Sequence, residues 1–312
     1  MAAPIPDEAP VISAADLGEG LGRAKVRNPI RVGLTAILFP GQGSQQPDMR
    51  DTVARERPEL VDAALAVVGE DPFARAEEGT RFAQPAIFCA SLAGWAALGS
   101  PSGDVMAGHS LGELTALVAA GCLSERDGLE LVALRGRLMQ EAGEQAGDGG
   151  MLALLGPGAA DQAEALAAAH GLTVANDNCP TQVVLSGPRE TFPPAGESAR
   201  GVGLRPMDVP VTGAFHSPMM ASAVPQFEAA VAQVALRPAG VTVFSAVTAQ
   251  PFEGEADIRL RLVNGLTRPV RWRETLLELQ RFGADRFVEV GPGRILTNLA
   301  KRTLKDVELV HG

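Results

Sequence analysis

The chain has 312 residues, 46% of them apolar and 21% charged, with a formal net charge of −10. That length admits one large domain or two of ordinary size, and the composition is that of a globular protein with a sizeable core. The acidic balance, with no basic stripe to offset it, excludes nucleic acid as an expected partner, and no apolar run reaches the roughly 18 residues that span a membrane.

The first thirty residues carry Pro4, Pro6, Asp7, Glu8 and Pro10 without a basic n-region or an apolar h-region. They read as a disordered leader (residues 1–30), not as a signal peptide. Cys89, Cys122 and Cys179 are widely spaced and odd in number, which gives neither a disulfide framework nor a metal site. A reducing, cytoplasmic compartment and a monomer are expected.

From Val32 the pattern alternates. Apolar runs at Val32–Phe39 and Val105–Ala107 read as buried strands. Glu59–Val68, Gln84–Leu98, Leu114–Ala120 and Gly128–Glu141 read as helices. Such alternation favours a parallel sheet covered by helices. The polar, Gly-rich stretch 144–150 then marks a boundary. Beyond it come a strand (Met151–Leu155), an Ala-rich helix (Ala159–His170), strands at Thr173–Asn176 and Gln182–Ser186, a helical piece, and a strand at Arg205–Val209. About four strands and two helices in some sixty residues suggest a small antiparallel α+β insert. After Gly213 the longer pattern resumes, with strands near Val241–Ser245 and Arg286–Val290 and a helix at Trp272–Phe282.

The most informative segment is Gly108-His109-Ser110-Leu111-Gly112, a G-x-S-x-G pentapeptide between a strand and a helix. That context suits a nucleophile elbow, in which a sharp turn lifts the serine hydroxyl over the helix N-terminus. Phe39-Pro40-Gly41-Gln42-Gly43-Ser44-Gln45 closes the first strand but lacks the spacing of a Walker loop or a dinucleotide fingerprint. Further on stand Leu134-Arg135-Gly136-Arg137-Leu138-Met139-Gln140, Gly213-Ala214-Phe215-His216-Ser217-Pro218 and Val288-Glu289-Val290-Gly291-Pro292-Gly293. A serine nucleophile needs a base, and the chain has four histidines. His109 adjoins the serine and would point away from it. His170 ends a helix, and His311 is second from the end, where chains fray. His216, in a Gly- and Pro-bounded loop, remains.

These five segments, in this order, resemble the malonyl-CoA:acyl carrier protein transacylase family, over about residues 36–305. The resemblance implies an α/β fold: a hydrolase-like large subdomain (31–146 and 213–312) interrupted by a small ferredoxin-like subdomain (147–212). It implies transfer of malonyl from malonyl-CoA through Ser110 to an acyl carrier protein, with coenzyme A as a substrate thioester and no bound cofactor or metal. His216 would complete a Ser–His dyad, oriented by a backbone carbonyl in the segment Val263-Asn264-Gly265-Leu266-Thr267. Gln42 and Leu111 N–H groups would form the oxyanion hole. Arg135 would pair with the malonyl carboxylate. Phe215 would lie against the malonyl α-carbon, Met139 would form pocket wall, and Asn176 would line the cleft.

Carrier proteins are usually acidic, so an acidic enzyme needs a local basic patch to dock one. Arg294, Lys301, Arg302 and Lys305, with Arg268, Arg271 and Arg273, are candidates. A lipase-type hydrolase would instead want a His-Gly-Gly-Gly oxyanion motif and a C-terminal histidine, and only His311 has that position. A non-catalytic scaffold would have no need to keep Gln42, Ser110, Arg135 and His216 together.

Overall fold

The computed structural model describes residues 33–312, and the leader expected over residues 1–30 lies outside the described residues. The described chain opens with strand β1 (Leu34–Phe39), helices α1 (Met49–Glu56), α2 (Pro58–Val68) and α3 (Thr80–Ala97), and strand β2 (Val105–Gly108). The elbow helix α4 (Gly112–Ala119) and the long α5 (Glu125–Ala146) follow. Next come β3 (Gly149–Leu155), α6 (Ala159–His170), β4 (Thr173–Cys179), β5 (Gln182–Pro188), α7 (Phe192–Gly201) and β6 (Arg205–Val209). The chain ends with α8 (Val224–Gln233), β7 (Thr242–Ser245), β8 (Gln250–Pro251), α9 (Glu255–Asn264), α10 (Trp272–Phe282), β9 (Ala284–Glu289), α11 (Ile295–Thr303) and β10 (Glu308–His311).

Two sheets organise these elements. The larger has the order β10-β9-β1-β2-β7-β8; all its pairings are parallel except that of the short edge strand β8 with β7. Its central strands are apolar on both faces, as a helix-covered parallel sheet requires. Ile37 and Phe39 pack with α3 and α4, whereas Ala36 and Leu38 face Trp272, Leu276 and Leu279 of α10. The smaller sheet, β4-β5-β3-β6, is antiparallel throughout. Strand alternation divides its work: Leu152 and Leu154 pack with Leu166 and Phe192 of α6 and α7, while Met151 and Ala153 face the main cavity. This is the two-sheet α/β architecture expected from the sequence. The smaller sheet is laced to the segment before α10 by Asp177 N–H to Val270 O (2.9 Å) and Val270 N–H to Ala175 O (2.8 Å), and to α10 itself by an Arg273–Asp177 ion pair (2.7 Å).

Several elements differ from the sequence expectation. Helix α3 starts at Thr80, so Pro85 lies inside it; every residue from Phe82 to Ala93 is buried, and that burial outweighs the hydrogen bond the proline removes. His311 does not fray. It sits in β10, in register with Glu289 of β9. Helices α1 and α9 escape the apolar-run reading because each buries only two side chains, Met49 and Val53 in one and Ile258 and Leu262 in the other.

β1 and β2 are adjacent and parallel, with Phe39 opposite Gly108, so the loops at their carboxyl ends meet. Glycine makes that meeting possible. A Cβ on Gly108 would lie 1.9 Å from the Gly112 carbonyl carbon, and one on Gly112 would lie 2.3 Å from Phe39 O. We therefore expect Gly108→Ala to cost about 3 kcal/mol or more, as forced overpacking against backbone does. Gly121→Ala meets nothing within 4 Å at φ +75° and should cost only the left-handed strain, about 1–2 kcal/mol. Gly108→Ala should therefore show the lower thermal midpoint of the two variants.

Candidate active site

The elbow places Ser110 at φ 53°, one of five non-glycine residues with positive φ among those described; His216, at φ 57°, is another. Strain at a nucleophile and its partner is typical of functional loops held by surrounding structure. The Ser110 hydroxyl stands 2.9 Å from His216 Nε2 and accepts a hydrogen bond from Arg135 Nη2 at 3.1 Å. With Arg135 donating, Ser110 is left to donate its own proton to Nε2. That geometry sets up a nucleophile and its base.

Arg135 reaches the serine because of the residue after it. Helix α5 is capped at Ser124, which accepts from Asp127 N–H at 3.0 Å. It then crosses the start of α3 at Gly136, where a Cβ would lie 2.6 Å from Thr80 O. This close approach delivers the guanidinium to the base of the cavity, 4% exposed. Nη1 donates to Gln84 Oε1 at 2.8 Å; Gln84 Nε2 donates to Thr80 Oγ1 at 2.9 Å; and Thr80 Oγ1 donates to Gln42 Oε1 at 2.6 Å. No carboxylate lies within ion-pair distance of Arg135 among the described residues. Burial lowers its pKa to about 10, opposed by the charge of Glu113, so the group stays cationic at neutral pH. A buried cation without a counter-ion is costly, and here it is held ready beside the nucleophile.

The imidazole of His216 is also buried, and its pKa is pushed down to about 3, first by desolvation and then by the charge of Arg135 and the neighbouring His109. It is therefore neutral and able to accept a proton. The carbonyls of Gly265 and Arg268 act on the ring in the opposite sense. Neither closes a well-formed hydrogen bond with Nδ1, which is buried without a partner among the described residues. His109 stands beside the site as expected: Nε2 meets Asn178 Oδ1 at 2.9 Å and the ring lies edge-on to Trp272 at 5.4 Å.

One cavity of about 320 Å³ opens over this centre. Gln42, Ser110, Leu111, Arg135, Met139, Asn176, Phe215 and His216, all singled out by sequence, line it. The Gln42 and Leu111 N–H groups donate to no acceptor among the described residues. The Phe215 ring is seated on Gly213, where a Cβ would lie 2.9 Å from Cε1. Residues the sequence reading passed over also line it: Gln84, Asn178 and Met151. Gln84 alone left a trace, as the one amide in the apolar run Phe82–Phe88.

Comparison with known proteins gives the same class. A family model described as "Acyl transferase domain" matches residues 37–311, and the chain belongs to that acyltransferase family. It is 38% identical over 288 residues to the polyketide biosynthesis protein ThaF of Burkholderia thailandensis; the match covers 88% of this chain but only 24% of that protein's length. It is 36% identical to the malonyl CoA-acyl carrier protein transacylase of Salmonella typhimurium LT2, over 86% of this chain and 92% of that one. The crystal structure of an acyl-carrier-protein S-malonyltransferase from Burkholderia pseudomallei 1710b superposes with a TM-score of 0.82 at 32% identity, covering 89% of this chain and 95% of that one.

An imidazole accepts a proton only when neutral, so any acylation of Ser110 that draws on His216 should fail on the acid side where the ring gains a proton. Its depressed pKa places that limb well below the ordinary imidazole value of 6.5. Arg135→Ala removes the second cause of the depression, so the acid limb of kcat/KM should move to higher pH. A limb unmoved by that substitution would show that Arg135 does not act on His216.

Proposed function

We propose that this chain is a malonyl-CoA:acyl carrier protein transacylase working through a malonyl-Ser110 ester. The observation that carries the reading is the buried, counter-ion-free Arg135 touching the nucleophile. An esterase for neutral acyl groups has no use for that charge, whereas a malonyl thioester brings a carboxylate to meet it through two parallel N–H···O bonds.

In the forward half-reaction Ser110 Oγ attacks the thioester carbonyl and its proton passes to His216 Nε2. The Gln42 and Leu111 N–H groups receive the oxyanion, donors worth roughly 10²–10³ in rate each. Collapse breaks the C–S bond, and coenzyme A leaves with the proton returned by His216. In the second half-reaction His216 takes the proton of the carrier's phosphopantetheine thiol, and the thiolate attacks the malonyl ester. The new C–S bond replaces the C–O bond, and Ser110 leaves reprotonated. The scheme calls on no cofactor. Asn176 and Met139 act as walls of the cavity.

For the acidic carrier, the exposed Arg294, Lys301, Arg302 and Lys305 around α11 offer the local positive charge that the net charge lacks. The helix also brings Ile295 and Leu299 to the cavity. Arg271 and Arg273, by contrast, are paired with Glu274 and Asp177.

Intact-mass measurement after mixing with malonyl-CoA should show one malonyl on wild type and none on Ser110→Ala. Arg135→Ala should lose malonyl transfer by roughly 10–150-fold, the worth of a charge-assisted pair, while acetyl transfer holds or rises. An adduct on the Ser110 variant, or equal losses for both thioesters, would defeat the scheme.

Phe215 fills the wall beside His216 and is read as the gate for the acyl α-carbon. One methyl group against a filled pocket is worth roughly 1–3 kcal/mol. Wild type should therefore prefer malonyl-CoA to methylmalonyl-CoA by about tenfold or more, and Phe215→Ser should narrow the ratio by admitting methylmalonyl. Competition between the two thioesters, read as the adduct ratio on Ser110, tests this.

A further inference from the structure

Glu113 lies three residues beyond the nucleophile, in the first turn of α4, and is 4% exposed. It makes no ion pair among the described residues. Its flanks on the helix, Leu114 and Leu117, are core leucines, so a carboxylate at this position costs desolvation that an apolar residue would avoid. Its hydrogen bonds are with a single turn, and the charge of Arg135 acts on it as well. Oε1 accepts from Ala246 N–H at 2.5 Å, and the Ser245 hydroxyl and Val247 N–H act on the carboxylate in the same sense.

That turn follows β7 and leads toward the base. Ala246 O accepts from Arg271 N–H at 2.6 Å, and Thr248 O accepts from Arg271 Nη1 at 3.1 Å. Val247 packs on Gly265: its Cγ2 lies 3.6 Å from where a Cβ on that glycine would stand. Gly265 carries one of the two carbonyls that act on His216. Ser110, Glu113, Arg135, His216, Val247 and Gly265 all line one small cavity of about 10 Å³ beneath the dyad. His216 Nδ1 closes no hydrogen bond of its own among the described residues. The Gly265 and Arg268 carbonyls are the backbone groups that act on that ring.

We propose that Glu113 is a positioning residue for the dyad: its carboxylate holds the 245–247 turn against the nucleophile's helix, and that turn seats Gly265 against His216. The nucleophile and the segment that aims its base are thereby fixed to one another by one side chain. The role is that of an acceptor, so an amide oxygen can fill it in part and a methyl group cannot. Burial raises the pKa of the carboxyl to about 7, and either protonation state can accept from Ala246 N–H.

This inference rests on the reading of Ser110 as the acylated residue, and the test separates the two. Single-turnover acylation by malonyl-CoA is followed by rapid quench and intact mass. Affinity is measured as the Kd of malonyl-CoA on the Ser110→Ala background, with and without Glu113→Ala. Glu113→Ala should slow acylation by about 10–100-fold, the scale of a misaimed reacting group, while the Kd changes by less than about twofold. Glu113→Gln should recover most of the rate. Should Glu113→Ala not fold, Val247→Ala, which leaves the carboxylate in place and loosens Gly265, should show the same loss of rate without loss of affinity. Wild-type acylation in Glu113→Ala, equal losses in rate and affinity, or a folded Glu113→Gln as slow as Glu113→Ala would each overturn the proposal. Absence of any adduct on wild type would instead overturn the transacylase reading.

Discussion

The organisation of the site follows from one buried positive charge. Arg135 is delivered to the floor of the cavity by a helix crossing that only Gly136 permits, and it is left there with hydrogen bonds but no ion-pair partner among the described residues. Its partners are neutral, Gln84 and Ser110, and each of those is itself engaged. The amide of Gln84 is turned by Thr80, and Thr80 by Gln42. A chain of neutral dipoles thus ties the guanidinium to the loop after β1 whose N–H is read as an oxyanion donor. Such a network orients a charge without neutralising it, and in the proposed function the malonyl carboxylate neutralises it.

The same charge also acts on His216. Desolvation is the larger cause of the lowered imidazole pKa, and the guanidinium lowers it further. His216 is thus held neutral in the free protein. It is also held weak, because a strongly depressed imidazole is a poor proton acceptor. In the proposed reaction the oxygen that His216 deprotonates is the one to which Arg135 already donates, and that contact favours the developing alkoxide. On that reading one group stabilises the anion at Ser110 and opposes the cation at His216.

What was legible in the sequence follows from how locally each feature is encoded. The elbow is a contiguous strand–turn–helix in which Gly108 and Gly112 are required by contacts of 1.9 and 2.3 Å, so a pentapeptide announces it. His216 could be reached by elimination because the chain has only four histidines. The parallel sheet and the antiparallel insert were visible as apolar runs of the right period. The supporting residues were not. Gln84 and Asn178 acquire their roles from neighbours 51 and 69 residues away; locally Gln84 shows only as the one amide in an apolar run, and Asn178 reads as an ordinary strand amide. Edge strands β8 and β10 are short, and their pairing depends on the sheet already being formed. The reading of His311 as a frayed terminus failed for that reason: β9 supplies the ladder that orders it.

The coupling of Arg135 to His216 also bears on selectivity in the proposed reaction. A malonyl carboxylate seated on the guanidinium cancels most of its field at the imidazole, so the base regains strength when the correct acyl group is bound. An acetyl group leaves the cation uncompensated and the base weak, with the hydroxyl still hydrogen-bonded to Arg135. Discrimination then has two sources, the ion pair itself and the basicity it restores, and only the first is visible as binding. The second appears in the chemical step, as an interaction realised on the way to the transition state does. A site built in this way needs no steric rejection of smaller acyl groups. It accepts them and activates the serine less.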